Sequence, residues 1–137
     1  IFLFNFSFRP KISAGFLSSE IEFYRMKTLL HISTDDTEKV SELLGNIKNL
    51  RDDDTVENRE TVVLMNGDAV KTALQDSKAS EFFRDDLEKG VSFRVCSNSL
   101  EGRDIKPENL VEGVEVVESG VGELTKLQSE GFSYIRL

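Results

Sequence analysis

The sequence is poor in the residues that build covalent and metal-stabilised scaffolds. Its 137 residues include one cysteine, Cys96, and one histidine, His31. A single cysteine cannot form an internal disulfide, and no cluster of cysteine and histidine is available to bind a structural zinc ion. These absences exclude a disulfide scaffold and a structural zinc site. A lone reduced thiol is typical of the cytoplasm, where we expect the protein to function.

The chain also lacks an excess of positive charge. Lysine and arginine number 17 against 25 aspartate and glutamate residues, which gives a formal net charge of -8. Neutralisation of phosphates supplies most of the affinity of proteins for nucleic acid, and anionic membranes attract basic surfaces in a similar way. We therefore expect neither nucleic acid nor a membrane as a partner.

Residues 1–25 differ in character from the rest of the sequence. The segment is rich in phenylalanine and does not begin with methionine, whereas Met26 follows it directly. Its apolar run, 1–8, is interrupted by polar residues and is far too short to span a bilayer, so a targeting segment fits poorly. We expect residues 1–25 to be a non-native or disordered N-terminal extension, and residues 26–137 to form a single domain.

From Met26 onward, apolar segments of strand character alternate with segments of helical periodicity. Asp35, with Glu38 three residues later, resembles a capping box and predicts a helix from about residue 37 to residue 49. Ser119 is placed to cap the last helix. Strands are predicted at 28–33, 61–65, 91–96, 114–117 and 132–137, and other helices at 69–75, 79–89, 97–103 and around Pro107. This alternation indicates an α/β protein, a three-layer sandwich with a mostly parallel five-stranded sheet.

The cysteine is expected at the end of a strand. Cys96 closes the segment 91–96 and directly precedes Ser97, where a short helix is predicted. Its sulfur should therefore lie near the N-terminus of that helix, which favours the reactive thiolate. The alternative is a buried and inert cysteine, because free cysteine is among the most buried residue types.

Two further segments end strands at the same edge of the sheet, where open α/β folds bind ligands. Asn66 and Gly67 follow segment 61–65, and they can supply a side-chain hydrogen bond and a close backbone approach to a bound group. Ser119 and Gly120 precede the last helix and could place backbone amides around an anion. An ordinary turn and an ordinary helix cap are the alternatives for these two segments.

Two polar features are interpreted as structural. His31 lies inside the first strand, before the loop in which a catalytic base would lie, and we interpret it as a packed or edge residue. The acidic run from Asp52 to Asp54 lacks the ligand spacing of a calcium loop. We interpret this run as a solvated connection.

Three segments together resemble a known family. They are NIKNL at 46–50, GVSFRVCSNSL at 90–100 and GVEVVESGVGELTKLQSEGFSYIRL at 113–137. At this separation they resemble the DsrE/DsrF-like family, and most of all its small stand-alone intracellular proteins. The resemblance extends from about Met26 to Leu137.

The resemblance implies a parallel-sheet α/β sandwich that assembles as a homotrimer or hexamer. From the better understood members it also implies a cysteine that carries sulfane sulfur as a persulfide. Cys96 falls where the motif Cys-x-Asn-[Ser/Thr]-Leu has its cysteine, and Asn98 and Ser99 match the positions that follow. Met65 and Asp68 depart from the family, which usually has a loop richer in glycine and proline there, so the rim of the site is expected to differ.

Three functional hypotheses follow. The first is a sulfurtransferase-like relay in which Cys96 takes sulfur from a donor protein and yields it to an acceptor protein, with no cofactor required. Asn98, Ser99 and the amides of the helix after Cys96 would stabilise the persulfide. The second is a non-catalytic oligomeric module that binds a small anion or nucleotide at the turn 119–122, with Cys96 structural. The third is a redox sensor, which the lack of a resolving cysteine disfavours.

Overall fold

Five strands form the centre of the computed structural model, which describes residues 26–137. The predicted N-terminal extension lies outside the described residues. The strands, β1 (Met26–Ile32), β2 (Asn58–Met65), β3 (Ser92–Cys96), β4 (Glu115–Val117) and β5 (Ser133–Arg136), lie in the order β4-β3-β2-β1-β5. Every neighbouring pair is parallel. The predicted α/β class and five-stranded sheet are confirmed, and the sheet is parallel throughout.

Helices connect the strands within residues 26–137. The α-helices are α1 (Thr37–Asp52), α2 (Ser80–Glu88), α3 (Ser97–Gly102) and α4 (Gly120–Ser129), and two 3₁₀ helices span Gly67–Ala73 and Pro107–Asn109. None of the helices in this part of the chain combines the length and the apolar character needed to cross a membrane.

Two local predictions are wrong. Asp36, not Asp35, is the N-cap of α1, since its carboxylate accepts a hydrogen bond from the Lys39 N–H at 3.3 Å. The predicted helix at 69–75 is instead the 3₁₀ helix Gly67–Ala73. It ends early because Leu74 is extended and forms an antiparallel bridge with Leu110.

The two faces of the sheet have separate cores. On one face, α1, α2 and α3 pack over a large core that includes Leu30, Val63, Phe83, Phe93 and Leu100. On the other face, α4 packs over a smaller core of Leu29, Val62, Leu64, Leu127 and Phe132. Burial of apolar side chains on both faces is the main force that holds these layers together. The predicted three-layer arrangement is therefore present.

The connections that follow β3 and β4 leave the sheet toward opposite faces. The helix after β3 is α3, on the face of the large core, and the helix after β4 is α4, on the other face. In open α/β sheets a crevice forms beyond the carboxyl ends of strands whose connections diverge in this way. The fold thus brings Cys96, the last residue of β3, and Gly120, the first residue of α4, together at the position of this crevice.

Candidate functional site

Hydrogen-bond donors from two helices surround the Cys96 sulfur. They are the hydroxyl of Ser99 and the backbone amides of Ser99, Gly120 and Asn98. Burial acts to raise the pKa of the Cys96 thiol, because Cys96 is only 6 % exposed and a charged sulfur is desolvated there. The donors outweigh burial, so the pKa of this thiol lies below its ordinary value. The environment therefore favours the thiolate.

Ser99 connects the Cys96 sulfur to the end of β2. Its Oγ accepts a hydrogen bond from the Gly67 N–H at 2.9 Å, which orients the hydroxyl and leaves its own proton available to the sulfur. Gly67 has a φ of +57°, and a Cβ at this position would lie 2.9 Å from the carbonyl oxygen of Ser33. Glycine is required here because any other side chain would combine a strained backbone with a clash.

Gly120 brings α4 close to both β2 and the cysteine. Its N–H stabilises the Cys96 thiolate, while a Cβ at Gly120 would lie 3.3 Å from Asn66 Cβ and 3.4 Å from Leu64 Cδ1. The absence of a side chain lets the helix terminus approach this closely. Ser119 directly precedes Gly120, and its Oγ accepts a hydrogen bond from the Gly122 N–H at 3.0 Å. The turn 119–122 is thus a helix cap. Its Gly120 amide already donates to Cys96, and its Gly122 amide already donates to Ser119.

Most of the predicted site residues meet at this crevice. Gly67, Cys96, Ser99 and Gly120 form one connected set, with Asn66 packed against Gly120. Asn98 contributes through its backbone amide, and Ser119 contributes as the cap of α4. Among residues 26–137, no group of three or more histidine, cysteine, aspartate or glutamate side chains is arranged to hold a metal ion.

Charged side chains form the rim of the crevice beside α3. Arg103 Nε donates a hydrogen bond to Asp68 Oδ1 at 2.9 Å, and Arg103 Nη1 donates to the Ser99 carbonyl oxygen at 3.2 Å. Lys71 Nζ lies 3.4 Å from the same Asp68 oxygen. Asp68, at which the resemblance leads us to expect a rim that differs from the family, connects this rim to the helix that carries Ser99.

A polar cluster that the sequence does not suggest adjoins Asn66. His31 Nε2 lies 3.0 Å from Asn66 Oδ1, and His31 Nδ1 lies 2.7 Å from Tyr134 Oη. Burial lowers the pKa of His31, the nearby Arg136 lowers it further, and the hydrogen bond to Asn66 opposes both. His31 is packed, as predicted, but it is not an edge residue, because β1 lies between β2 and β5.

Side chains along a β-strand alternate between the two faces of the sheet, and this alternation could have revealed the cluster. His31 pairs with Leu64 across β1 and β2, and Asn66 lies two residues beyond Leu64. Residues two apart on a strand point to the same face, so His31 and Asn66 belong to one face of the sheet. Using this signal requires knowing that β1 and β2 are neighbours in register.

Comparison with known proteins agrees with this fold. The model of the DsrE/DsrF-like family matches residues 26–137. The chain belongs to this family. The resemblance inferred from the sequence motifs is therefore confirmed over the whole described part of the DsrE-like chain.

Three solved structures share the DsrE-like fold. A protein of unknown function from Methanobacterium thermoautotrophicum is 34% identical, with a TM-score of 0.76 over 82% of this chain and 99% of that chain. The ychN protein from E. coli is 18% identical, with a TM-score of 0.68 over 82% and 100% of the two chains. A conserved protein of unknown function from Bacteroides thetaiotaomicron is 18% identical, with a TM-score of 0.62 over 80% and 94%. The last two identities support the fold alone. No curated protein is significantly similar.

Proposed function

We propose that this DsrE-family protein is a sulfur-relay protein that carries sulfane sulfur as a persulfide on Cys96. The observation that supports this function most is the placement of Ser99, whose Oγ is held by the Gly67 N–H at 2.9 Å, in a set of donors that lowers the pKa of the Cys96 thiol with the amides of Ser99, Gly120 and Asn98. Preorganised donors of this kind stabilise anionic sulfur, either the attacking thiolate or the persulfide that it forms. A structural cysteine would gain little from them, because a neutral thiol is a weak acceptor.

The transfer step needs only the thiolate and a sulfane donor. The Cys96 thiolate attacks the outer sulfur of a donor persulfide, R–S–SH, and forms a new sulfur–sulfur bond as the donor bond breaks. The electron pair leaves on the donor as RS⁻, which takes a proton from water, and Cys96–S–SH remains. The transferred sulfur keeps its oxidation state, so the step consumes no oxidant or reductant. An acceptor thiolate removes the outer sulfur by the same reaction in the second half of the cycle.

The depth of Cys96 is compatible with this relay. The residue is mostly buried, but it is the last residue of β3, at the edge of the sheet where open α/β folds bind ligands. Loading adds one sulfur atom, which extends the reactive group outward by about 2 Å, the length of a sulfur–sulfur bond. The outer sulfur is thus more accessible to an acceptor than the thiol itself. Donor and acceptor proteins are the proposed partners, in the reducing cytoplasm where thiols persist.

Intact mass spectrometry after exposure to a polysulfide donor tests the proposal. Because Cys96 is the only cysteine of the chain, any sulfur that a reductant removes reports on this residue. We expect the wild-type protein to gain whole sulfur atoms, to lose them on reduction and to pass them to an added acceptor thiol. Cys96→Ser is the matched control and should gain none.

The opposite result has a clear meaning. A folded, reduced wild-type protein that gains no sulfur would leave Cys96 as core packing. Ligand binding that persists in Cys96→Ala would then favour the oligomeric binding module.

A further inference from the structure

His31 is buried in a part of the molecule that the transfer step does not use directly. It is 4 % exposed, and its ring contacts Asn66, Tyr134, Ser33 and Arg136. A buried imidazole with both nitrogens engaged holds its neighbours in fixed orientations. The orientation of Asn66 is of interest because Asn66 packs against Gly120, whose amide stabilises the Cys96 thiolate.

Arg136 determines which nitrogen of His31 carries the proton. Arg136 Nη1 lies 3.3 Å from His31 Nδ1, and a guanidinium group can only donate hydrogen bonds. A protonated Nδ1 would point its hydrogen at this donor-only group, so Nδ1 is unprotonated and its single lone pair accepts the hydroxyl proton of Tyr134 at 2.7 Å. In the neutral ring the proton is then on Nε2, which faces Asn66.

The tautomer in turn determines the orientation of the Asn66 amide. The Nε2–H of His31 donates to Asn66 Oδ1, and Ser33 Oγ donates to the same oxygen at 2.8 Å. With Oδ1 held by two donors, Nδ2 points to the other side, where it would lie 3.5 Å from a Cβ at Gly120. This side of Asn66 faces the terminus of α4 next to Cys96.

We propose that His31 is a positioning residue that turns the Asn66 Nδ2 group toward the outer sulfur of a Cys96 persulfide. The proposal rests on the sulfur-relay function. Asn66 is not among the groups that stabilise the Cys96 thiolate itself. In this proposal its amide acts on the loaded state, in which the added sulfur extends beyond the thiol.

The equilibrium loading of Cys96 tests this role. Wild type, His31→Leu, Asn66→Ala and the double variant are equilibrated with glutathione persulfide and glutathione at several ratios, and loading is read by intact mass. We expect each single variant to lower the loading constant about tenfold, the effect of losing one hydrogen bond to a charged group. The double variant should lose no more than either single variant, because His31 acts only through Asn66.

The pH profile of iodoacetamide alkylation of unloaded Cys96 is the second readout. It should be unchanged in all four proteins, whereas general loosening of the site would move it. Thr28→Val is the matched control, since Thr28 is also buried on β1 and donates to an asparagine, Asn58, at 2.8 Å. That contact lies at the opposite end of the strands, so Thr28→Val should load like wild type.

A double variant at exposed positions keeps the test valid if His31→Leu does not fold. Tyr134→Phe with Arg136→Met removes both groups that fix the tautomer of His31. We expect the loading constant to fall about threefold, because the His31 ring can then adopt either tautomer. Wild-type loading in the folded variants would overturn the role of His31 while leaving sulfur relay intact. Failure of the wild-type protein to load at all would instead overturn the proposed function.

Discussion

At the scale of single residues, the Ser99 hydroxyl links the backbone of one strand end to the sulfur at another. Gly67 holds Ser99 Oγ with its N–H, although Gly67 itself is not among the groups that stabilise the thiolate. The hydroxyl therefore meets the sulfur already oriented, which avoids the entropy cost of ordering it during reaction. Without this hydroxyl, the backbone amides of Ser99, Gly120 and Asn98 remain to oppose the burial that disfavours a charged Cys96 sulfur.

Ser99→Ala should make Cys96 less reactive. Loss of the hydroxyl raises the pKa of the thiol, so the thiolate fraction at neutral pH falls and alkylation by iodoacetamide slows about tenfold. The alkylation rate as a function of pH measures this directly, and its profile should move to higher pH. Ser97→Ala is the control, because Ser97 in the same helix is not among the groups around the sulfur. An unshifted profile in folded Ser99→Ala would contradict the assignment.

At the scale of elements, α4 is fixed to the sheet by more than its apolar face. Arg94 of β3 and Glu123 of α4 form an ion pair whose side chains are both mostly buried. A pair removed from solvent is screened little by salt. Together with the Ser119 cap, it holds the first residue of α4 at the end of β3. The position of the Gly120 amide thus depends on the docking of the whole helix.

Gly120→Ala should disturb this docking. The new Cβ meets Asn66 Cβ at 3.3 Å and Leu64 Cδ1 at 3.4 Å, so α4 or Asn66 must shift. We expect a loss of about 1–3 kcal/mol in the free energy of unfolding, measured by urea denaturation. Alkylation of Cys96 should also slow, because the Gly120 amide moves away from the sulfur.

Gly45→Ala is the matched control for that variant. Gly45 lies in α1, and a Cβ there would have no atom within 4 Å. Alanine should therefore add about 1 kcal/mol of stability through its higher helix propensity, with no effect on Cys96. Wild-type stability and reactivity in Gly120→Ala would show that the contact at α4 is not tight.

At the scale of the whole molecule, β5 is an edge strand of the sheet that residues 26–137 form. Within residues 26–137, β5 pairs with β1 alone, and its Tyr134 and Ile135 are 40% and 44% exposed. An unpaired edge with apolar side chains is a surface that proteins commonly cover with another chain. This arrangement is consistent with the predicted homotrimer or hexamer.

Light scattering at micromolar concentration should give the mass of a trimer or a hexamer. Ile135→Lys places a charge on the edge strand and should shift the mass toward the monomer while the fold, measured by circular dichroism, is retained. Glu81→Lys, an exposed position on α2, adds the same positive residue elsewhere and should leave the oligomer intact. A monomeric wild-type protein would contradict the expectation.

Much of the fold was predictable because local patterns specify it. A short apolar run predicts the strand that ends at Cys96, and a hydroxyl before a segment of helical periodicity predicts that Ser119 caps α4. Each of these signals lies within a few consecutive residues of the sequence. Boundaries differ where distant contacts intervene. β2 begins at Asn58, inside a charged segment, because Met26 of β1 pairs with it.

The sequence alone was sufficient for the α/β class, the family and the placement of Cys96 at a strand end beside Ser99. Only the tertiary structure brought the Gly120 amide to the same sulfur and His31 to Asn66. Both contacts depend on strand neighbours, β3 beside β4 in one case and β1 beside β2 in the other. Strand order follows from the packing of both sheet faces at once, and no local periodicity encodes which strands become neighbours.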